Sequence, residues 1–248
     1  MANIFTSHSG LRHDAKAYVM AGRGVVVDSD GRGDFTSIQS AAEFWYARGV
    51  GGRIWVRAGT YNEKVTITEA NTVLEGESWD ALIDGTGKTN ALTFAVNYVI
   101  VKNIQLKTPK GGSDDDCFPI GAAANHFTVD TVHVSSSDGQ GIACYGSYGL
   151  LQNCHMANID QNAIYLDGPG NRVSECNLHG GGTLRGVYIS GLGDNSVVTG
   201  NFITGMSETA SMISIEANAE NCLVVGNRVT GSISDSSGTS TVTANETG

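Results

Sequence analysis

Val197-Val198-Thr199-Gly200-Asn201-Phe202-Ile203-Thr204 returns 26 residues later as Leu223-Val224-Val225-Gly226-Asn227-Arg228-Val229-Thr230. Each copy places an apolar residue two before the glycine and another three after it. The pattern continues toward the N-terminus with Gly76, Asn103, Thr131, Asn153 and Glu175 as earlier anchors, so that the spacings run 27, 28, 22, 22, 25 and 26. Two residues before the anchors stand Leu74, Val101, Val129, Leu151, Val173, Val198 and Val224; three after stand Trp79, Leu106, Val134, Met156, Leu178, Ile203 and Val229. All are apolar, and both columns are expected to point inward.

Between anchors lies a second set of apolar pairs, Leu92/Phe94, Phe118/Ile120, Ile142/Cys144, Ile164/Leu166, Val187/Ile189 and Ile213/Ile215. A separation of two is strand period, and the runs are too short for helices. A hairpin meander would not hold one residue column in register over seven repeats, whereas stacked parallel coils do so naturally. The expected fold is therefore all-β, a single-stranded parallel β-helix. The column just after the anchor runs Ile104, Val132, Cys154, Cys176, Asn201, Asn227, an apolar stack that gives way to an asparagine ladder. Stacked amides satisfy one another and the turn backbone, which makes them tolerable inside.

The ends differ from the repeats. Ile38, Ala41, Ala42 and Trp45 have the spacing of an amphipathic helix, expected to plug the N-terminal mouth of the solenoid. Residues 1–24 are read as an attaching arm and residues 25–248 as one β-helix domain, whose C-terminal segment turns polar as a last coil should.

The chain has 248 residues with 33 glycines, 3 prolines, 40% hydrophobic and 16% charged residues, a composition that excludes disorder. Its net charge of -10, with no basic cluster, argues against a nucleic-acid partner. The five cysteines lack metal-site spacing and read as buried free thiols. No basic-then-apolar leader and no run of ~18 apolar residues occurs, so the expectation is a protein made in a cytoplasm without signal peptide or membrane insertion. No cofactor and no resident metal is expected.

The segments VVVDSDGRGDFTSIQSAAEF, GGRIWVRAGTYNEKVTIT and NTVLEGES, within residues 25–78, resemble the opening of pectinesterases and of the wider pectin-lyase-like superfamily. The resemblance implies a right-handed parallel β-helix whose first coil is capped by a short helix, and it carries no catalytic residue. The stretch DDDCFPIGAAANHFTVDTVHVSSSDGQGIACYGS looks like the polygalacturonase pattern of Asp-Asp-Cys followed by Gly-His-Gly. Asp115 and Asp116 match the carboxylate pair, but Gln140 stands where the histidine belongs, and no Arg-Ile-Lys follows. The triplet Asp114-Asp115-Asp116 is accordingly read as a surface turn rather than a catalytic or calcium site. The C-terminal texture VVGNRVTGSISDSSGTSTVTANETG is similar to the endings of β-helical bacteriophage proteins such as tailspikes, head fibres and capsid decorations.

Outward positions supply the candidate site. Tyr165 and Tyr188 should stack on adjacent coils, with Tyr145, Asp167, Ser190 and Glu216 one step further along. Ring faces cover the C–H side of a sugar while carboxylates and hydroxyls take its polar edge. Tyr145, Tyr165, Asp167, Tyr188 and Glu216 are thus the expected ligand-binding residues, and a surface glycan the expected ligand. His133 and His155 read as surface decoration. The expected function is a bacteriophage virion structural or adhesion protein, trimeric and docked to other virion proteins. The alternative is a polysaccharide-active hydrolase or lyase, whose candidate carboxylates are Asp115, Asp116, Asp138 and Asp160. The negative charge disfavours acidic glycans in either case.

Overall fold

The computed structural model describes residues 24–108, 116–179, 185–205 and 211–247. Residues 1–23 of the expected arm, and Asp114 and Asp115 of the acidic triplet, lie outside them.

Among the described residues, short strands stack into three parallel sheets. Sheet 1 has ten strands, from Val25–Val27 to Thr241–Thr243; sheet 2 has nine, from Gly59–Tyr61 to Glu246–Thr247; sheet 3 has eight, from Val65–Ile67 to Ile233–Asp235. The chain visits sheets 1, 2 and 3 in turn, then begins the next coil. Neighbouring coils are therefore separated by the spacing of hydrogen-bonded strands, about 4.8 Å.

The inward columns are those of the sequence pattern. Leu74, Val101, Val129, Leu151, Val173, Val198 and Val224 pair in register down sheet 1, each fully buried. Leu106, Val134, Met156, Leu178, Ile203 and Val229 do the same in sheet 2. The pairs from Leu92/Phe94 to Ile213/Ile215 line sheet 3. One residue is misplaced by the pattern. Trp79 is 39% exposed, because the loop Glu77–Asp80 intervenes after Gly76, and the inward residue of that coil is Ile83, paired with Leu106.

The anchors are corners. Asn103, Thr131, Asn153, Glu175, Gly200 and Gly226 all have left-handed backbone, with φ between 53° and 68°, where the chain turns from sheet 1 into sheet 2. Asparagine and glycine suit that conformation; threonine and glutamate do not, and are held there by the coils on either side. Gly76 differs: a Cβ there would lie 2.1 Å from the Asn103 carbonyl oxygen, so close approach of backbones requires glycine.

Below the corners the amide ladder is complete. The Oδ1 atoms of Asn201, Asn227 and Asn245 accept the backbone N–H of Cys176, Asn201 and Asn227 at 2.9–3.0 Å. Their Nδ2 groups donate to the carbonyls of Val173, Val198 and Val224 at 3.2, 2.9 and 3.1 Å. Cys176 and Cys154 replace the amide in the coils before, with thiols directed at the Leu151 and Val129 carbonyls at 3.9 and 3.7 Å. All five cysteines are buried and free.

Helix α1, Ile38–Tyr46, covers the N-terminal mouth and buries Ile38, Ala41, Ala42, Phe44 and Trp45. Ser37 is its N-cap. The Glu63 carboxylate accepts from the backbone N–H of Ile38 and Gln39 at 2.7 and 3.1 Å and from the Ser37 hydroxyl at 2.7 Å. A carboxylate at a helix N-terminus meets the positive end of the dipole, so Glu63 fastens the lid to the coil beneath it.

Leu151 is fully buried midway along the sheet 1 column. Leu151→Asp would place an unpaired charge between two coils and is expected to remove at least ~3 kcal/mol of stability. Urea unfolding followed by circular dichroism checks this; an unchanged midpoint would contradict the register.

Candidate functional site

Strand alternation puts the middle residue of a sheet 3 strand on the outer face, where Tyr165 and Tyr188 are half-buried and Ala143 and Ser214 are covered. Ala143, Tyr165, Tyr188 and Ser214 occupy that column in register on four successive coils. Tyr145 leaves the end of its strand and turns back across the sheet, so that its ring lies 5.8 Å from that of Tyr165 in an edge-on arrangement. Tyr165 and Tyr188 are 5.6 Å apart, tilted by 38°. The three rings expected from the sequence thus form one ladder.

Carboxylates border it. The Tyr188 hydroxyl donates to Glu216, whose other oxygen accepts the Gly191 N–H at 2.8 Å. The Ser190 hydroxyl donates to Asp167. The Tyr145 hydroxyl donates to Asp116 at 3.3 Å, and Asp116 also accepts the Gln140 N–H at 2.9 Å. Burial and the adjacent Asp116 carboxylate push the Tyr145 phenol up to about 12. Burial, with Asp167 beside it, raises Tyr165 as well. Both therefore remain neutral donors at neutral pH.

At the Tyr188 end the ladder opens into a polar depression of about 470 Å³, lined by Arg185, Tyr188, Ser214, Glu216, Asn218 and Ser236 among others. The Arg185 guanidinium lies over the Tyr188 ring, 4.5 Å from its centroid. A ligand would therefore meet open aromatic surface at Tyr145 and Tyr165, and hydrogen-bonding groups at Tyr188. Sequence reasoning missed Arg185 and Asn218. Arg185 continues the column Asp116, Gln140, Asn162, each of which accepts the backbone N–H of the next, but the residue type changes from coil to coil, so only its offset from the inward pair could have marked it.

Of the carboxylates named for a hydrolytic alternative, Asp116 stands at the ladder. Asp138 and Asp160 lie in equivalent turns entering sheet 3, where the Asp160 N–H donates to the Ser137 carbonyl at 2.9 Å. That edge of the sheet is opposite the one carrying Asp167 and Glu216. Gln140, at the position of the polygalacturonase histidine, belongs to a side-chain ladder: it donates to Gln161 at 2.7 Å and accepts from the Asn162 N–H at 3.0 Å. Among the described residues no group of three or more His, Cys, Asp and Glu side chains is placed to hold a metal ion.

A profile of the right handed beta helix region matches residues 120–247, more than half of the chain. The chain belongs to that family. Its coils are accordingly those of a right-handed parallel β-helix. No curated protein sequence matches this β-helix. Solved structures do. Pectin methylesterase PemA from Erwinia chrysanthemi is similar with a TM-score of 0.63 at 17% identity, over 84% of this chain and 80% of that one. ORF18 of Geobacillus virus E2 is similar with a TM-score of 0.60 at 14% identity, over 87% of this chain and 55% of that one. The Dettilon tailspike protein is similar with a TM-score of 0.50 at 12% identity, over 77% of this chain and 46% of that one. At such identities the likeness is one of fold, and the fold is shared by enzymes and phage proteins.

A histidine pair stands apart from this β-helix's tyrosine ladder. His133 and His155 pair in register on the outer face of sheet 2, with rings 4.8 Å apart. The Trp79 indole lies 5.1 Å and 6.0 Å from them, fixed by its N–H to the Thr131 carbonyl at 2.8 Å. Burial, then the charge of His155, lowers His133 to about 4. A base harder to protonate when folded than when unfolded makes acid favour unfolding. Its contribution is intact above pH 6.5 and is lost as pH falls from there to about 4. Asp28, Asp84 and Asp130 are lowered from 3.8, so their contributions are lost in a more acid range. The melting temperature should therefore fall between pH 6.5 and 4. His133→Gln, which repeats the preceding Gln105 of the same column, should flatten that fall in calorimetry.

Proposed function

We propose that this β-helix is a glycan-binding structural or adhesion protein of a bacteriophage virion, of the tailspike, head-fibre or capsid-decoration kind. The observation that carries the reading is the tyrosine ladder, whose bordering carboxylates are each engaged by a hydroxyl of the site itself. Rings that stack on pyranose faces, next to fixed polar groups that read hydroxyls, make a recognition surface. The fold-level likeness to two phage proteins supports the setting. In that setting the solenoid is assembled as a trimer and docked to other virion proteins. The -10 net charge favours a neutral glycan over an acidic one.

A second reading, a polysaccharide-active enzyme, is favoured by the carboxylates Asp116, Asp167 and Glu216, which contact hydroxyls on either side of the tyrosine ladder, and by the pectin methylesterase fold neighbours. Acid–base chemistry on a glycosidic bond needs two carboxyls free to exchange protons with the substrate. Here each is engaged by a hydroxyl within the site.

The test is an array of neutral, amino and uronic-acid-bearing oligosaccharides, followed by titration of the tightest neutral binder. Tyr165→Ala is expected to weaken binding by about 1 kcal/mol, close to fivefold in Kd. In parallel the parent protein is assayed for reducing ends, unsaturated products and methanol. Turnover that Asp116→Asn or Asp167→Asn abolishes would replace the binding reading with the enzyme.

A further inference from the structure

A second aromatic column runs along the turn that leads from sheet 3 back to sheet 1. In it Tyr98, His126 and Tyr148 occupy three successive coils, with ring centroids 5.6 Å and 5.4 Å apart. All three have left-handed backbone, with φ of 59°, 57° and 56°. The same corner on other coils is Asn71, Gly170, Asn195 and Asn221, the residue types that adopt this conformation at least cost. Tyrosine is disfavoured there, less so histidine, and the cost is not repaid by burial: Tyr98 is 53% exposed, Tyr148 59%, and His126 is exposed as well. Gly170 on the following coil leaves the space that Tyr148 occupies, since a Cβ there would lie 2.6 Å from its ring.

Polar groups accompany the rings. The residue before Tyr98 is Asn97, whose side-chain Oδ1 accepts the backbone N–H of Asn125 at 2.8 Å and the Asn125 side-chain amide at 3.3 Å. Ser147 precedes Tyr148. The column is also continuous with the candidate site, because Tyr145 and Tyr148 begin and end one turn.

We propose that Tyr98, His126 and Tyr148 form a second carbohydrate-binding strip, which takes an extended neutral glycan along the β-helix axis, one ring to each sugar unit. The proposal rests on the glycan-binding reading above and extends it across the turn. A repeating ligand suits rings that recur once per coil, and the negative charge of the chain selects against nucleic acid and uronic-acid polymers. Stacking on ring faces needs no deep pocket, which fits a convex corner.

The discriminating variant is Tyr98→Asn with Tyr148→Asn, which restores the residue that the corner carries on other coils. It is compared with the parent and with Tyr165→Ala by melting temperature and by titration, far below the melting transition, of the neutral array member bound most tightly. The expected result is a melting temperature at or above that of the parent together with a Kd raised about tenfold. A lowered melting temperature with unchanged Kd would make the rings structural and overturn the proposal. If Tyr165→Ala weakens binding and the double variant does not, this strip fails while the first site stands. If the parent binds no array member, both fail together.

Discussion

Each strand residue of the described sheets lies about 4.8 Å from its counterpart on the next coil, and that stacking governs what each column can hold. An apolar column is compatible with it at once, since Leu151 between Val129 and Val173 simply removes three side chains from water. A polar column is compatible only if the group both donates and accepts along the axis. Asparagine does, and the chain Asn201–Asn227–Asn245 uses its oxygen for one coil and its nitrogen for another. Like charges would repel, so the outward column of sheet 1 alternates from Glu75, 6% exposed, to Lys102 to Asp130, while Arg53, two residues before Trp55 of that column, reaches Glu75 diagonally. These ion pairs reach solvent through Arg53 and Lys102, and their role is compatibility more than strength.

The same constraint explains what could be read without coordinates. A column repeated over seven coils leaves an apolar residue at a constant offset from an anchor, so the inward residues of all three sheets were legible, and with them the parallel stacking. Trp79 failed because an offset counts residues, and the loop Glu77–Asp80 adds residues without advancing the strand. The corners were not legible as corners: Asn103, Thr131, Glu175 and Gly200 share no chemistry, only a backbone conformation imposed by stacked neighbours. At the candidate site, Tyr165 and Tyr188 were visible because they share a column. Asp116 was named in the acidic triplet and among the carboxylates of the hydrolytic alternative but not as a neighbour of Tyr145, since that contact crosses from one coil to the next.

The surfaces divide the work differently. Sheet 1 presents charges that answer one another, and sheet 2 presents the histidine pair under Trp79. Sheet 3 presents rings with hydroxyls and carboxylates, and the corner beside it presents rings held in unfavourable backbone. Aromatic side chains that remain half exposed contribute less to folding than buried ones of equal size. Their concentration on two adjoining columns is a property of the surface, not of the core.

A rigid periodic surface suits recognition better than turnover for a mechanical reason as well. Catalysis rewards groups whose interactions strengthen only as the transition state forms, which needs a proton donor or acceptor left without a stronger partner. In the tyrosine ladder the hydroxyls of Tyr145, Ser190 and Tyr188 already donate to Asp116, Asp167 and Glu216 before any ligand arrives. Such pairs fix the rotamers of rings and carboxylates together, so a sugar bound as proposed would meet a surface whose ordering cost was met during folding. That favours affinity for the ground state. Converting the groove to chemistry would require a ligand able to displace at least two of those hydroxyls at once.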